Sequence, residues 1–196
     1  MTDRWPTSVP VEHFEGLFAR SRDPFRLESR WYERRKRAVT LAALERELYP
    51  SALELACAEG ALTEALLERC DRLLALDGSR TAVRRASERL ASRPGVTVQH
   101  AVLPGQLPPG PFDLVVMAEV GYYLVRTELD ALVLGCASIL ADRGELLVVH
   151  WRHASDEYPS DGDRVHERAH ELLDGELEHL VEVTHPDFLI DCWRAA

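Results

Sequence analysis

Beyond Pro50, the chain alternates between two patterns of hydrophobic positions. Short runs such as 114–117 and 146–149 are continuously apolar, which is typical of parallel strands that are covered on both faces. Between such runs, apolar residues recur with helical spacing and predict amphipathic helices. One of these stripes consists of Leu129, Leu132, Val133, Cys136 and Leu140. The alternation predicts an open α/β sheet with flanking helices.

The same periodicity gives approximate bounds for the elements. Strands are predicted at 52–57, 72–77, 96–101, 112–119 and 145–151, and helices at 61–69, 79–92, 127–141 and 163–174. Two further strands are predicted at 177–184 and 188–193. Because only a short segment joins them, we expect these last two strands to be antiparallel neighbours.

Two helix starts can be predicted from their first residues. Asp23 followed by Pro24 is typical of a helix N-terminus, and the polar sequence after it predicts a helix that runs towards Tyr49. Thr127 with Asp130 three residues later has the pattern of a capping box, in which two side chains satisfy free backbone amides.

The composition limits the class of protein. A length of 196 residues suits one domain, and a formal charge of −10 disfavours a nucleic-acid partner, because phosphates are bound by Lys and Arg. Four scattered cysteines indicate buried thiols in a reducing compartment. Neither a signal peptide after Met1 nor an apolar span of about 18 residues is found, so we expect a soluble cytoplasmic protein with no membrane partner.

The segment 53–60, followed by 73–77, has the pattern of a buried strand, a tight turn, a helix and a second strand that ends on Asp77. Such a turn lets the backbone approach a nucleoside, and an acid at the next strand tip can accept hydrogen bonds from ribose hydroxyls. Of the three glycines in a dinucleotide fingerprint, however, only Gly60 is present. The motif alone is therefore compatible with several nucleotides.

Five segments together carry a resemblance to a known family: 23–36 (DPFRLESRWYERRK), 53–63, 112–124, 150–153 (HWRH) and 187–193 (DFLIDCW). They are similar to the class I S-adenosylmethionine-dependent methyltransferases, and within them to the NodS-type nodulation N-methyltransferases. The resemblance implies a Rossmann-like fold whose mostly parallel seven-stranded sheet ends in an antiparallel last strand, with helices on both faces. It also implies a single domain over 23–196 with a helical lid at 23–49, preceded by an extension at 1–22.

The resemblance implies a set of residues around the cofactor, S-adenosylmethionine. They are Trp31 and Tyr32; Glu54, Ala56, Cys57, Ala58 and Gly60 at the first turn; Asp77, Gly78 and Ser79 near the ribose; Ala101, Val102 and Leu103 beside adenine; and Glu119 and Val120 near the methyl group.

Three residues depart from the pattern of the family. Ala56 and Ala58 stand in place of glycines; since a left-handed alanine costs about 1–2 kcal/mol, we expect both to keep a negative φ and Gly60 alone to make the turn. Val102 stands where the family usually has an acid that accepts from the adenine amino group. A degenerate methyltransferase fold that serves as a binding or regulatory module is therefore an alternative.

Methyl transfer from a sulfonium is an in-line displacement, so the protein has to align the nucleophile and remove its proton. The candidate catalytic residues are Glu119, His150 and His153, and the candidate substrate residues are Tyr122, Tyr123, His153 and His166. Structural roles remain open for several of them. Glu119 could cap a helix, and His150 could pack against the sheet. We expect a small-molecule amine or hydroxyl as acceptor, and the resemblance suggests an amino sugar.

A different chemistry is suggested by His166, Glu167 and His170, which match the HExxH pattern of zinc hydrolases. The helix that carries them is short and has an apolar stripe of its own. In a chain with eight histidines, such a match also arises by chance. We therefore expect no metal site and treat a zinc hydrolase as a remote alternative. Which residue is the base, and the oligomeric state, are left open by the sequence.

Overall fold

The computed structural model describes residues 7–196, so expectations that concern Met1–Pro6 lie outside the described residues. The helices are α1 (Val11–Arg20), α2 (Trp31–Ala42), α3 (Ala61–Leu66), α4 (Arg80–Arg89), α5 (Arg126–Ser138) and α6 (Gly162–Leu173). The strands are β1 (Ala52–Leu55), β2 (Leu73–Asp77), β3 (Val96–His100), β4 (Phe112–Ala118), β5 (Leu140–Trp151), β6 (Glu178–Thr184) and β7 (Phe188–Arg194). Within 7–196, no helix is long and apolar enough to span a bilayer.

The chain divides into two compact units, of which the N-terminal unit comprises residues 10–102. Its strands lie in the order β3-β2-β1 and are parallel. All four residues of β1 are buried, whereas β3 alternates between half-buried and exposed positions. The core of this unit therefore lies along β1 and β2, and a turn follows the carboxyl end of each.

The C-terminal unit comprises residues 103–196 together with the described residues 7–9. Its strands lie in the order β4-β5-β7-β6; β4 and β5 are parallel, and β7 is antiparallel to both of its neighbours. The two apolar runs that were predicted to form buried strands lie in β4 and β5 and are buried there. The predicted antiparallel pairing of the last two strands is confirmed.

Residues 7–196 form seven strands, and helices separate most of them after residue 50. This confirms the predicted α/β fold class. One strand begins earlier than predicted. β5 pairs with β4 first at Leu140 and Phe112, and regular pairing resumes only at Glu145 and Leu114. Between these two points Arg143 has a φ of 59°, so the pairing of β5 with β4 is irregular where the sequence is polar.

The long helix predicted from residue 23 towards residue 49 is wrong. Asp23 does accept backbone hydrogen bonds, from the N–H of Leu27 at 2.7 Å and from that of Glu28 at 3.4 Å. However, Arg26 has a φ of 58°, which interrupts a helix at once. The carboxylate therefore closes a local turn, and α2 begins only at Trp31.

The predicted capping box at the start of α5 is also wrong. The N-cap residue is Val125, which has no side-chain acceptor, and Thr127 lies inside the helix. Asp130 instead binds Arg168 of α6 through two hydrogen bonds of 2.7 and 2.8 Å. Asp130 therefore joins α5 to α6 instead of forming the cap that the local pattern predicts.

The helix α1 was not predicted, although it lies within the extension at 1–22. Phe18, on its buried face, packs against Ala58 and Ala82. Glu15 accepts hydrogen bonds from the Ser79 hydroxyl at 2.6 Å and from the Thr81 amide at 3.1 Å, at the N-terminus of α4. These hydrogen bonds lower the pKa of Glu15 from its usual value to about 2.

We expect Glu15→Gln to reduce stability at neutral pH and to have less effect in acid. Because the pKa of Glu15 is lowered on folding, its contribution is complete above the unfolded value of 4.5 and is lost as the pH falls towards about 2. The side chain is partly exposed, so we expect a loss of about 1 kcal/mol or less. Urea unfolding at pH 6.5 and pH 3 measures this. An equal loss at both values would contradict the assignment.

Candidate functional site

The turn after β1 is built from three left-handed residues. Ala56 has a φ of 54°, Ala58 a φ of 51° and Gly60 a φ of 81°. The prediction that the two alanines keep a negative φ is therefore wrong, and the special conformation expected of Gly60 is confirmed. A Cβ at Gly60 would lie 3.3 Å from both Ala86 and Leu90, so space as well as conformation favours glycine there.

Hydrogen bonds hold this turn in its strained conformation. The amide of Ala58 donates to Asp77 Oδ2 at 2.8 Å, and the amide of Ser79 donates to Asp77 Oδ1 at the same distance. The amide of Cys57 donates to the carbonyl of Leu76 at 2.8 Å. Asp77 thus ties the turn after β1 to the turn after β2. Burial raises the pKa of Asp77, and the two amide bonds oppose that rise.

Glu54 is a buried carboxyl in the last half of β1, with 2% of its surface exposed. Its Oε2 has no hydrogen-bond partner among the described residues. Burial raises the pKa of Glu54 to about 8, and the negative charge of Asp77 adds to the rise while the Thr63 hydroxyl opposes it. Glu54 is therefore mostly protonated at pH 7 in this structure.

The other cofactor residues predicted in the N-terminal unit lie in different environments. Cys57, Ser79 and Ala101 are buried, Gly78 is half-buried, and burial raises the pKa of the Cys57 thiol. Trp31 is 70% exposed at the start of α2, and Tyr32 next to it lies under the Lys36 ammonium at 4.9 Å. After β3, Val102 is exposed. Leu103, the first residue of the segment 103–196 in the C-terminal unit, is half-buried.

In the C-terminal unit, Glu119 follows β4 with a φ of 55° and is fixed by two donors. Its Oε1 accepts from the amide of Trp151 at 3.1 Å, and its Oε2 accepts from the Tyr122 hydroxyl. Burial, with the charge of Glu119, raises the pKa of Tyr122 well above its usual value, so this phenol stays a neutral donor. Val120, the next residue, is buried.

Tyr122, which is hydrogen-bonded to Glu119, packs together with two further tyrosines. Tyr122 stacks on Tyr158 with ring centroids 5.5 Å apart, and Tyr123 meets the Tyr158 edge at 4.7 Å. Tyr158 was not singled out from the sequence, because it lies in a polar stretch far from the other two. Such a cluster provides electron-rich faces that attract a cation.

His150 is fully buried, and its two nitrogens are both engaged. Its Nε2 lies 3.0 Å from the amide nitrogen of Gly121, which can only donate, so Nε2 is the acceptor. Nδ1 then carries the proton and donates to His166 Nε2 at 3.3 Å, and His166 Nδ1 donates to Asp191 Oδ2 at 2.5 Å. A directed chain of hydrogen bonds therefore runs from Gly121 to Asp191.

Asp191, which sequence reasoning missed, is the acceptor for three histidines. Besides His166, the Nε2 atoms of His170 and His179 lie 3.2 and 2.7 Å from Asp191 Oδ1. Burial opposes ionisation of Asp191, but the histidines more than offset it and lower its pKa. The pairing of a strand acid with the HExxH histidines depends on the long-range packing of α6, which no local pattern reveals.

His153 and Glu167 lie away from these groups, on an open polar cavity of about 440 Å³ that Arg152, Asp163 and Arg164 also line. His153 Nε2 is bonded to Asp187 at 2.9 Å, and its side chain is half-exposed. Glu167 therefore does not join His166 and His170 in a common set, although all three match the zinc pattern.

We expect Ala56→Gly to stabilise the protein by about 0.5–1 kcal/mol. Glycine removes a left-handed strain of about 1–2 kcal/mol and adds about 0.5–1 kcal/mol of unfolded-state entropy. Ala58→Gly is the matched control, because it also loses a buried methyl that contacts Phe18, and that loss of about 1 kcal/mol cancels the gain. Urea unfolding measures both, and a destabilised Ala56→Gly would refute the strain.

We expect the free energy of unfolding of the wild-type protein to fall as the pH rises, and to fall more steeply than that of Glu54→Gln. The pKa of Glu54 is raised from 4.5 to about 8 on folding, so its contribution is present below pH 4.5 and is lost as the pH rises towards 8, by roughly 1.4 kcal/mol per pH unit. Unfolding curves at pH 6 and 8 give the difference. The exposed Glu68→Gln serves as the control, and parallel curves for all three proteins would contradict a neutral Glu54.

Comparisons with known proteins give a consistent result. The family described as Nodulation protein S (NodS) matches residues 17–156. Nodulation protein S of Sinorhizobium fredii is 33% identical over 131 residues, which cover 64% of this chain and 59% of that protein. The chain thus spans little more than half the length of this relative.

Two solved structures extend the likeness. N-methyltransferase NodS from Bradyrhizobium japonicum WM9, in complex with S-adenosyl-L-homocysteine, is 26% identical with a TM-score of 0.83, over 94% of this chain and 97% of that one. A Pseudomonas syringae protein provisionally assigned to the methyltransferases is 42% identical with a TM-score of 0.74, over 84% and 99%. Since the family match covers well over half of the sequence, the chain belongs to the NodS family.

Proposed function

We propose that this protein is an S-adenosylmethionine-dependent N-methyltransferase that acts on the amine of a small molecule. The observation that carries the proposal is the likeness to N-methyltransferase NodS, which extends over 94% of the chain. When bound, the cofactor supplies a methyl group on a positively charged sulfur. The amine class rests on the family, and an amino sugar is the specific acceptor that we propose.

The residues of the N-terminal unit fit such a cofactor. Glu54 Oε2 is buried without a partner among the described residues, so it is available to a positively charged ligand group. The turn at Ala56 and Ala58 forms in spite of its side chains, and these are small enough for a ligand to approach the backbone. We assign Asp77 to the ribose hydroxyls, since each carboxylate oxygen can accept a second hydrogen bond.

The residues of the C-terminal unit fit the handling of an amine. The attacking nitrogen has to be neutral, and we assign the removal of its proton to Glu119, which Trp151 and Tyr122 hold in a fixed orientation. Such assistance is typically worth about 10²–10⁴-fold in rate. His150 is less suited to this task, because its Nε2 already accepts from Gly121. We assign His150 to the positioning of Gly121.

The same proposal covers the setting in which the protein works. All four cysteines lie within the described residues, are buried and form no disulfide, which fits a reducing cytoplasm. The net charge of −10 fits a small or cationic substrate better than nucleic acid. We therefore propose a cytoplasmic enzyme whose partner in catalysis is a small molecule.

We expect S-adenosyl-L-homocysteine at 100 times its dissociation constant to stabilise the protein by about 2.7 kcal/mol, and NAD at the same concentration to have no effect. Asp77→Ala should weaken the binding of S-adenosyl-L-homocysteine at least tenfold, whereas Glu68→Gln should not. Thermal unfolding with and without each ligand measures this. Stabilisation by NAD, or unchanged affinity in Asp77→Ala, would contradict the cofactor site.

The acceptor class is tested with the same protein and a methyl-labelled cofactor. A free amino sugar should gain one methyl group, detected by mass spectrometry, whereas its N-acetylated form should not. Transfer to a hydroxyl of the acetylated sugar would contradict N-methylation. Binding of the cofactor without transfer to either sugar would contradict the amino-sugar assignment. The same result would still support the cofactor site.

A further inference from the structure

A cluster of metal-binding side chains lies in the C-terminal unit, on elements that the proposed methyl transfer does not use. His170 lies in the last turn of α6, His179 in β6 and Asp191 in β7. One ligand atom of each lies within 4.8 Å of the other two. We propose that these three side chains bind a divalent transition-metal ion of the zinc class.

The spacing of the ligand atoms is close to that of a metal site. Asp191 Oδ1 lies 3.2 Å from His170 Nε2 and 2.7 Å from His179 Nε2. Zinc bonds of about 2.0–2.2 Å in a tetrahedron place ligand atoms roughly 3.3 Å apart. A widening of about 0.6 Å between Asp191 Oδ1 and His179 Nε2 brings that pair to this spacing, and the two histidine atoms lie within 4.8 Å of each other.

The scaffold holds the three ligands in place. Trp193 lies on the same face of β7 as Asp191, because side chains two apart on a strand point the same way, and it pairs in register with His179 of β6. Its ring lies 5.0 Å from that of His170 and 5.1 Å from that of His179. The other oxygen of Asp191, Oδ2, accepts a hydrogen bond from His166. Ligands on packed strands and a helix are better ordered than ligands on loops.

The site is open to solvent on one side. The side chains of His170 and His179 are 44% and 31% exposed, whereas Asp191 is only 4% exposed. An ion can therefore arrive from solvent, and a water molecule can complete four ligands. Two imidazoles with one carboxylate favour zinc, nickel or cobalt over magnesium, which prefers oxygen ligands. Binding replaces the two N–H···O contacts: each neutral imidazole then carries its proton on Nδ1 and gives the Nε2 lone pair to the ion.

This ligand set differs from the one that the sequence suggested. Only His170 is common to the HExxH pattern and to the structural cluster. His166 is turned towards His150 and Oδ2 of Asp191 through both of its nitrogens, and Glu167 lines the separate polar cavity. The proposal therefore includes no general base beside the metal, and it predicts metal binding without hydrolase activity.

The test is calorimetric titration of the full, metal-stripped chain with Zn²⁺ alone at pH 7. We expect one equivalent to bind with a dissociation constant in the micromolar range or below, and Mg²⁺ to give no binding. His170→Gln and His179→Gln should each weaken zinc binding at least tenfold. His13→Gln, an exposed histidine on α1, and Glu167→Gln should leave it unchanged.

The absence of saturable zinc binding would overturn the proposal, and so would unchanged affinity in His179→Gln. A loss of affinity in Glu167→Gln equal to that in His170→Gln would also overturn it, in favour of the HExxH set. Circular dichroism of the metal-free variants shows whether they fold; if His170→Gln does not, His179→Gln decides. As a second readout, Cu²⁺ should quench the fluorescence of Trp193, and Trp193→Phe should abolish that component.

Discussion

The hydrogen bonds that Asp77 accepts are the constraint on which the N-terminal unit depends. Without them, two alanines at positive φ would relax, because each left-handed alanine costs about 1–2 kcal/mol. The amide of Ala58 reaches one oxygen of Asp77 and that of Ser79 the other. A single buried carboxylate thus shapes the ends of both β1 and β2, and a change there alters the turn as well as any ligand contact.

The buried carboxyl of Glu54 gives the same region a second property. A protonated acid with an unpartnered oxygen is an unfavourable arrangement in an apolar core. It becomes favourable if a positive charge is brought next to it, since the acid can then ionise against that charge. Under the proposed function, the binding of a cationic cofactor would release a proton, and its affinity would rise with pH.

Much of the fold could be predicted from the sequence, because buried strands and amphipathic helices leave clear periodic patterns. Two of the errors share a physical cause, which is that tertiary contacts override local preference. Ala56 is left-handed in a turn that Asp77 ties to the next strand, and Asp130 pairs with Arg168 rather than capping α5. The error at Arg26 is local, because the carboxylate of Asp23 closes a turn before α2 begins. Of the candidate site, Asp77 could be predicted from the strand-turn-strand motif and Glu54 from the family resemblance, whereas Asp191 lies 12–25 residues along the chain from its partners.

The chain of hydrogen bonds from Gly121 through His150 and His166 to Asp191 has only one direction, since every donor points towards the carboxylate. Aligned bonds of this kind polarise one another, by roughly 10–30% per bond. The charge of Asp191 therefore strengthens the hydrogen bond from the Gly121 amide to His150, although two further hydrogen bonds lie between that bond and the carboxylate. The hydrogen bond that holds Gly121, two residues after Glu119, is therefore coupled electrostatically to a carboxylate in the last strand.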